Sequence, residues 1–180
     1  MSREETNRLF DIAIRAAIEA GDKILEVYES DDLSIEIKED DSPVTKADKL
    51  SSKVIVSRLA QTSIPVLSEE EKEAPYEVRK NWKRLWIVDP LDGTKEFIKH
   101  NGEFAVNIAL IEDKKPLLGV IYIPVSNEIF WGAKNYGAYS SSKEKYATEG
   151  INSNHTKLPF HKNKNEFVVT GESSSFISMD

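Results

Sequence analysis

Apolar positions recur at helical spacing through the first thirty residues, with Leu9, Ala13, Ala16, Ala17, Ala20, Ile24 and Tyr28 falling on one face. Ser2 followed by Glu5 is a capping-box pattern ahead of them, so a long amphipathic helix is expected to run to about Ser30, its alanines allowing close approach to a sheet or a second helix. The period then changes. Residues 33–38 alternate and predict a strand, followed by the acidic turn Glu39, Asp40, Asp41, which reads as a solvated hairpin tip or loop. A second helix is expected from Thr45, with Leu50, Val54, Ile55 and Leu59 as its apolar positions. Residues 64–67 predict a short strand, 72–84 a polar loop or short helix, and 85–88 a buried strand ending at Asp89. Two alternating apolar runs, 104–111 and 117–123, flank a charged turn ending in Pro116 and predict a hairpin; 128–133 extends it to an antiparallel meander, and 136–139 adds one more short strand. From 140 to 165 the chain turns to Ser, Lys, Asn, Glu and His, which reads as a polar linker or surface excursion.

Composition narrows the class. With 180 residues, 39% hydrophobic and 31% charged, the chain suits one well-filled globular domain. No apolar run approaches 18 residues and no basic-then-apolar segment opens the chain, so neither a transmembrane helix nor a secretory signal is expected. The expected compartment is the cytoplasm, with peripheral membrane association left open. The absence of cysteine removes disulfides, thiolate metal sites and thiol nucleophiles together. The three histidines, His100, His155 and His161, show no ligand spacing and read as surface residues. A net charge of -7 argues against binding a nucleic-acid polymer, which relies on clustered Lys and Arg. A small phosphorylated substrate would also be repelled at long range, so bound cations would have to reverse the local sign.

The candidate chemistry lies in Asp89-Pro-Leu-Asp-Gly-Thr94. Pro90 cannot continue a central ladder, Gly93 permits a left-handed backbone, and Thr94 is a good N-cap for a short helix over 95–98. Two carboxylates three residues apart on one turn can converge on a hard cation, and N–H groups at a helix start suit a phosphate oxygen. In isolation the same string reads equally well as a solvated turn. A phosphoaspartate mechanism is excluded, because the nucleophilic Asp of the Asp-x-Asp-Gly-Thr phosphatases would stand where this chain has Pro90. Upstream, Asp48 is the third helical residue after Thr45, a purely structural capping arrangement when taken alone. Ser68 with Glu71 forms a second capping-box pattern, around Glu69 and Glu70.

The Asp-Pro-Leu-Asp-Gly-Thr string resembles the metal signature of the inositol monophosphatase superfamily, and its extension Thr94-Lys-Glu-Phe97 looks like the 3'(2'),5'-bisphosphate nucleotidase branch. Support comes from Leu67-Ser-Glu-Glu70, from Pro43-Val-Thr-Lys-Ala-Asp48 and from Asn101-Gly-Glu-Phe-Ala-Val-Asn-Ile-Ala-Leu110, so the resemblance spans residues 6 to about 133. It implies an α+β, layered sugar-phosphatase-type fold with an N-terminal antiparallel sheet and two long helices. The expected division is a metal- and phosphate-binding domain over 1–139, the linker over 140–165, and over 166–180 the start of a C-terminal α/β layer that is largely absent.

The resemblance further implies hydrolysis of adenosine 3',5'-bisphosphate to AMP and phosphate, as in sulfur assimilation, by a metal-activated water, with two or three Mg2+ ions and inhibition by Li+. Glu69, Asp89 and the Leu91 carbonyl would hold one ion, and Asp89 and Asp92 a second. Asp48 and Thr94 would position the water, and Glu69, Leu91, Asp92, Gly93 and Thr94 would face the phosphate. Inositol monophosphate hydrolysis is the alternative, disfavoured by Thr-Lys-Glu-Phe after the Asp-Gly pair. A further departure concerns the Trp-Asp motif that supplies another second-metal ligand: Trp82, Trp86 and Trp131 are followed by Lys83, Ile87 and Gly132. A catalytically incomplete fragment or interaction module is therefore the rival, and an uncovered apolar surface would favour self-association.

Overall fold

The structure, a computed structural model, describes residues 1–30, 32–39, 41–72 and 74–158. Helix α1 (Arg3–Tyr28) begins where the capping pattern places it, with Ser2 Oγ accepting from the Glu5 amide at 3.1 Å. Helix α2 (Lys46–Leu59) starts after Thr45. Both lie on one face of a seven-stranded sheet formed by β3 (Val66–Ser68), β4 (Arg84–Asp92), β5 (Ala105–Glu112), β6 (Lys115–Ile123), β7 (Glu128–Ala133), β8 (Gly137–Ser142) and β9 (Thr156–Leu158), in that spatial order. Among the described residues only β3–β4 is parallel; the other pairings of this sheet are antiparallel. The expected meander is present, and the architecture is the α+β layering anticipated.

The core lies between the helices and the inward face of the sheet. Alternation sends Trp86, Ile108, Val120 and Trp131 inward, against the α1 stripe of Leu9, Ala13, Ala16, Ala17 and Ala20. A fully buried large apolar side chain contributes roughly 1.5–3 kcal/mol, so this interface dominates stability. Close approach is needed most at Gly21, where an added Cβ would stand 2.3 Å from the Tyr122 ring.

Several expectations change. The 33–38 strand shrinks to β1 (Glu36–Ile37), paired with β2 (Pro43–Val44). Both β1 residues are exposed, so no core beneath them extends the ladder. In the polar 72–84 stretch one turn of helix forms, α3 (Tyr76–Arg79). Strand β4 does not end at Asp89; it continues through Pro90 to Asp92 because the β4–β5 register slips there, from Asp89↔Asn107 to Asp92↔Ala105. A bulge needs no ladder hydrogen bond from Pro90, which removes the objection to proline in a strand.

Between 140 and 158 the chain is built into the sheet rather than running off as an excursion: β8 reaches Ser142, α5 (Lys143–Glu149) follows, and β9 closes the edge. The anchor is Tyr146, buried, whose hydroxyl donates to Asp11 Oδ1 at 3.0 Å. His155 is likewise buried, 4.8 Å from the Trp131 ring, with Nε2 against the Gly150 carbonyl at 2.8 Å. Its expected surface position was therefore wrong, because the ring packs against Trp131 and Tyr146 while Nε2 finds polar partners in the Gly150 carbonyl and the Ser153 hydroxyl. His161, the 159–165 part of the expected linker and the 166–180 segment lie outside the described residues.

Candidate metal and phosphate site

Four chain segments converge at the carboxyl ends of the parallel pair β3–β4. Glu69 leaves β3 with its amide bonded to the Val88 carbonyl at 3.2 Å. Asp89 and Asp92 flank the β4 bulge, Thr94 is the first residue of α4 (Thr94–Ile98), and Asp48 stands in the first turn of α2. Helix α4 is pinned by Phe97, which packs on Tyr28 and Phe104 at 5.2 and 5.3 Å between ring centroids.

Thr94 does not cap α4. That position belongs to Gly93 at φ 96, and no side chain caps the helix. The Thr94 hydroxyl reaches instead to Asp48 Oδ1 at 2.9 Å, across 46 residues, with the Leu91 carbonyl at 3.2 Å as its other neighbour. The second oxygen of Asp48 accepts from both the amide and the hydroxyl of Thr45, at 2.7 and 2.6 Å. The capping role and the contact to the loop therefore coexist on one buried carboxylate.

Gly93 is required twice over, by its positive φ and by space, since a Cβ would sit 2.8 Å from the Glu103 carbonyl. Gly93→Ala is expected to cost about 1–3 kcal/mol and to displace Thr94 from Asp48. Thermal unfolding measures the first; an unchanged melting temperature would contradict it.

Electrostatically the loop is under tension. Burial, then the neighbouring charges of Asp92 and Glu69, push Asp89 up to about 7, against the opposing Leu91 N–H donated to its Oδ1 at 3.2 Å. Asp92 is exposed and accepts from Asn107 Nδ2 at 2.8 Å. Glu69 is half exposed and paired with Lys38 at 3.0 Å, while Glu70 is nearly covered and paired with the same ammonium at 2.6 Å. Burial works against the charged Lys38, yet its bonds to Glu70 and Glu69 prevail and hold it at about 12. Burial also raises Glu70 despite that partner.

Every candidate donor here is a hard oxygen: the Asp89 and Asp92 carboxylates, the Leu91 carbonyl and the Glu69 carboxylate. That chemistry fits a divalent cation such as Mg2+ or Ca2+, and the mutual repulsion at Asp89 is what a cation would relieve. Among the described residues no three acidic or imidazole groups are already gathered around a common point. Glu69 Oε1 is engaged by Lys38 instead.

A pH dependence follows. The raised Asp89 value means that the native state holds a proton which the unfolded chain has already lost between about pH 4 and 7. The cation-free protein should therefore lose stability as pH rises through that window. Cation binding at pH 6 should release a proton, and release should fade above pH 8. Titration calorimetry in buffers of different ionisation enthalpy reads this directly; equal proton release at both pH values would remove Asp89 as its source.

The structure thus brings Asp48, Asp89, Leu91, Asp92, Gly93 and Thr94 together, with Glu69 at the margin. Two contributors were missed. Asn107 was read only as a strand residue, although it lies in a quoted segment; Lys38 carried no local signal.

Oxygen donors surround a strand-end loop with a buried Asp–Thr pair behind it, and the chain belongs to the inositol monophosphatase family, whose model matches residues 5–175. It is 54% identical over 118 residues to the 3'(2'),5'-bisphosphate nucleotidase CysQ of Salmonella typhimurium (strain LT2), covering 64% of this chain and 48% of that one. The CysQ nucleotidase of Shigella flexneri is 50% identical over 129 residues, covering 70% of this chain and 52% of the relative. The crystal structure of CysQ from Bacteroides thetaiotaomicron, described as a bacterial member of the family, superposes with a TM-score of 0.71 at 42% identity, over 87% of this chain and 59% of that one. The chain spans about half the length of the curated relatives it matches. No helix among the described residues is long and apolar enough to cross a membrane.

Proposed function

We propose that the chain carries the reacting-site half of a Mg2+-dependent 3'(2'),5'-bisphosphate nucleotidase, acting in the cytoplasm on adenosine 3',5'-bisphosphate to give AMP and phosphate, a step suited to sulfur assimilation. The observation that carries this reading is the Thr94–Asp48 hydrogen bond of 2.9 Å beside Asp89. Two residues far apart in sequence are held as a proton relay that a structural cap alone does not need.

Asp89, Asp92, the Leu91 carbonyl and Glu69 would hold the cations. When bound, Mg2+ would supply the charge that acidifies water and neutralises the leaving oxygen. The chain's own groups do the rest. Thr94 donates to Asp48, which leaves a hydroxyl lone pair to accept a hydrogen bond from water and fix its orientation; as the water gives its proton to Thr94, the Thr94 proton passes to Asp48 Oδ1, and the second oxygen of Asp48 stays held by Thr45. The amides at the start of α4 orient the phosphate. Asn107 holds Asp92 in place.

Two readouts separate this from the alternatives. Phosphate release from adenosine 3',5'-bisphosphate should exceed that from inositol monophosphate, with Li+ inhibiting both; the reverse order would favour the inositol reading. The 180-residue chain should turn over far more slowly than a chain of the relatives' length, since only Asp89 and Asp92 serve the second cation here. Equal turnover numbers would show that the second half contributes nothing to the reaction.

A further inference from the structure

Asp89 and Asp92 stand three residues apart, a spacing that puts side chains on opposite faces of a regular strand. The β4 bulge undoes this. Their partners on β5, Asn107 and Ala105, are two residues apart and share a face, so Asp89 and Asp92 share it too, while Pro90 and Leu91 between them are buried. Alignment brings repulsion with it: after burial, Asp92 is the strongest influence against an ionised Asp89. Asp92 is exposed, so without a restraint its carboxylate would turn away from Asp89 into solvent.

Asn107 supplies that restraint. It is paired directly opposite Asp89, and its Nδ2 donates diagonally past the bulge to Asp92 Oδ2 at 2.8 Å. One side chain thus spans both carboxylates. The amide must present its NH2 here, since its oxygen would face a carboxylate oxygen, and a hydrogen bond to an ionised acceptor is stronger than a neutral one. On its other side Asn107 is bounded by its cross-strand neighbour Ile121. The strand itself has no use for an amide at this position. Asparagine is a poor strand former, and Ala105 and Ala109, two residues to either side on the same face, carry no side-chain donor or acceptor.

We propose that, within the two-cation reading of this site, Asn107 is the positioning residue of the second ion. That ion has only Asp89 and Asp92 as protein ligands, so its site exists only while both carboxylates face the same point. The Asn107–Asp92 hydrogen bond sets this condition before any ion arrives, which lowers the ordering cost that binding would otherwise carry. The first ion, with Glu69, Asp89 and the Leu91 carbonyl, does not use Asp92. Its affinity is therefore independent of Asn107, and the two binding steps respond differently to the same substitution.

The test is Mg2+ titration of the 180-residue chain, followed by calorimetry and heteronuclear NMR. In the metal-free parent, one N–H of the Asn107 side chain should be shifted by its bond to Asp92, and the shift should collapse in Asp92→Ala. During the titration that signal should move with the second Mg2+ and not with the first. Asn107→Leu keeps roughly the size of the side chain and removes the donor. It should weaken the second step roughly ten- to a hundredfold, the usual cost of losing an outer partner of a ligand, and leave the first within about twofold. Asn107→Ala should do the same, which excludes an effect of bulk, and melting in a chelator shows that both variants fold. Equal losses at both steps, a second step indifferent to both variants, or an Asn107 signal unmoved by Asp92→Ala would overturn the proposal and leave the two-cation reading in place. A parent that binds one Mg2+ or none would overturn that reading itself, and the proposal with it.

Discussion

Asp89→Asn is expected to weaken divalent-cation binding by roughly 100-fold or more, since outer partners of ligands already cost 10–100-fold and this would remove the charged ligand proposed to serve two ions. The same substitution should stabilise the cation-free fold. Asparagine keeps an oxygen for the Leu91 amide but removes a charge that burial, Asp92 and Glu69 all oppose. The displacement from 3.8 to about 7, discounted for partial contact with solvent, corresponds to about 2 kcal/mol at pH 8. Opposite signs for affinity and stability are the signature. Calorimetry with Mg2+ and thermal melts in a chelator measure both, and a variant that binds as tightly as the parent, or melts lower without metal, would place the cation elsewhere.

Asp48→Asn should remain folded and lose turnover by roughly 100-fold or more in whichever form of the chain hydrolyses substrate. The geometry gives the reason. An amide can keep its carbonyl oxygen toward Thr45 and preserve the cap, at a cost within the ~0.5–2 kcal/mol of capping contacts. Its NH2 then faces Thr94, whose hydroxyl must accept instead of donate and turns its proton toward the Leu91 carbonyl, 3.2 Å away. Asp48→Ala loses both ends and should melt lower by more than the asparagine variant, because the Thr45 amide is left buried without its acceptor. Melting temperature and turnover per folded molecule separate the roles; an active Asp48→Asn would return this residue to capping alone.

The sequence by itself determined the parts whose cause is local. The start of α1 at Ser2 follows from a contact between residues three apart, and the β5–β6–β7 meander follows from alternation that has one solution when one face is buried. The candidate carboxylates were also legible, because Asp89, Asp92 and Gly93 belong to one short turn with its own backbone requirement. Asp48 was visible only as a cap until the resemblance supplied its second role.

Tertiary structure decided the rest. Whether Thr94 caps its helix or reaches Asp48 depends on where α2 lies relative to β4, a relation between residues 46 apart that no local pattern encodes. Lys38 meets Glu69 and Glu70 because the β1–β2 turn folds back beside the end of β3. Strand β4 passes through Pro90 because it bulges there against β5, and a proline penalty read from one strand cannot see its neighbour's register. The polar 140–158 stretch joins the sheet through one buried tyrosine and one buried histidine, too few apolar residues to register as a period yet sufficient once α1 offers Asp11 as a partner. Local pattern sets what a segment can become; burial and register, fixed only when all segments meet, set which of those states is chosen.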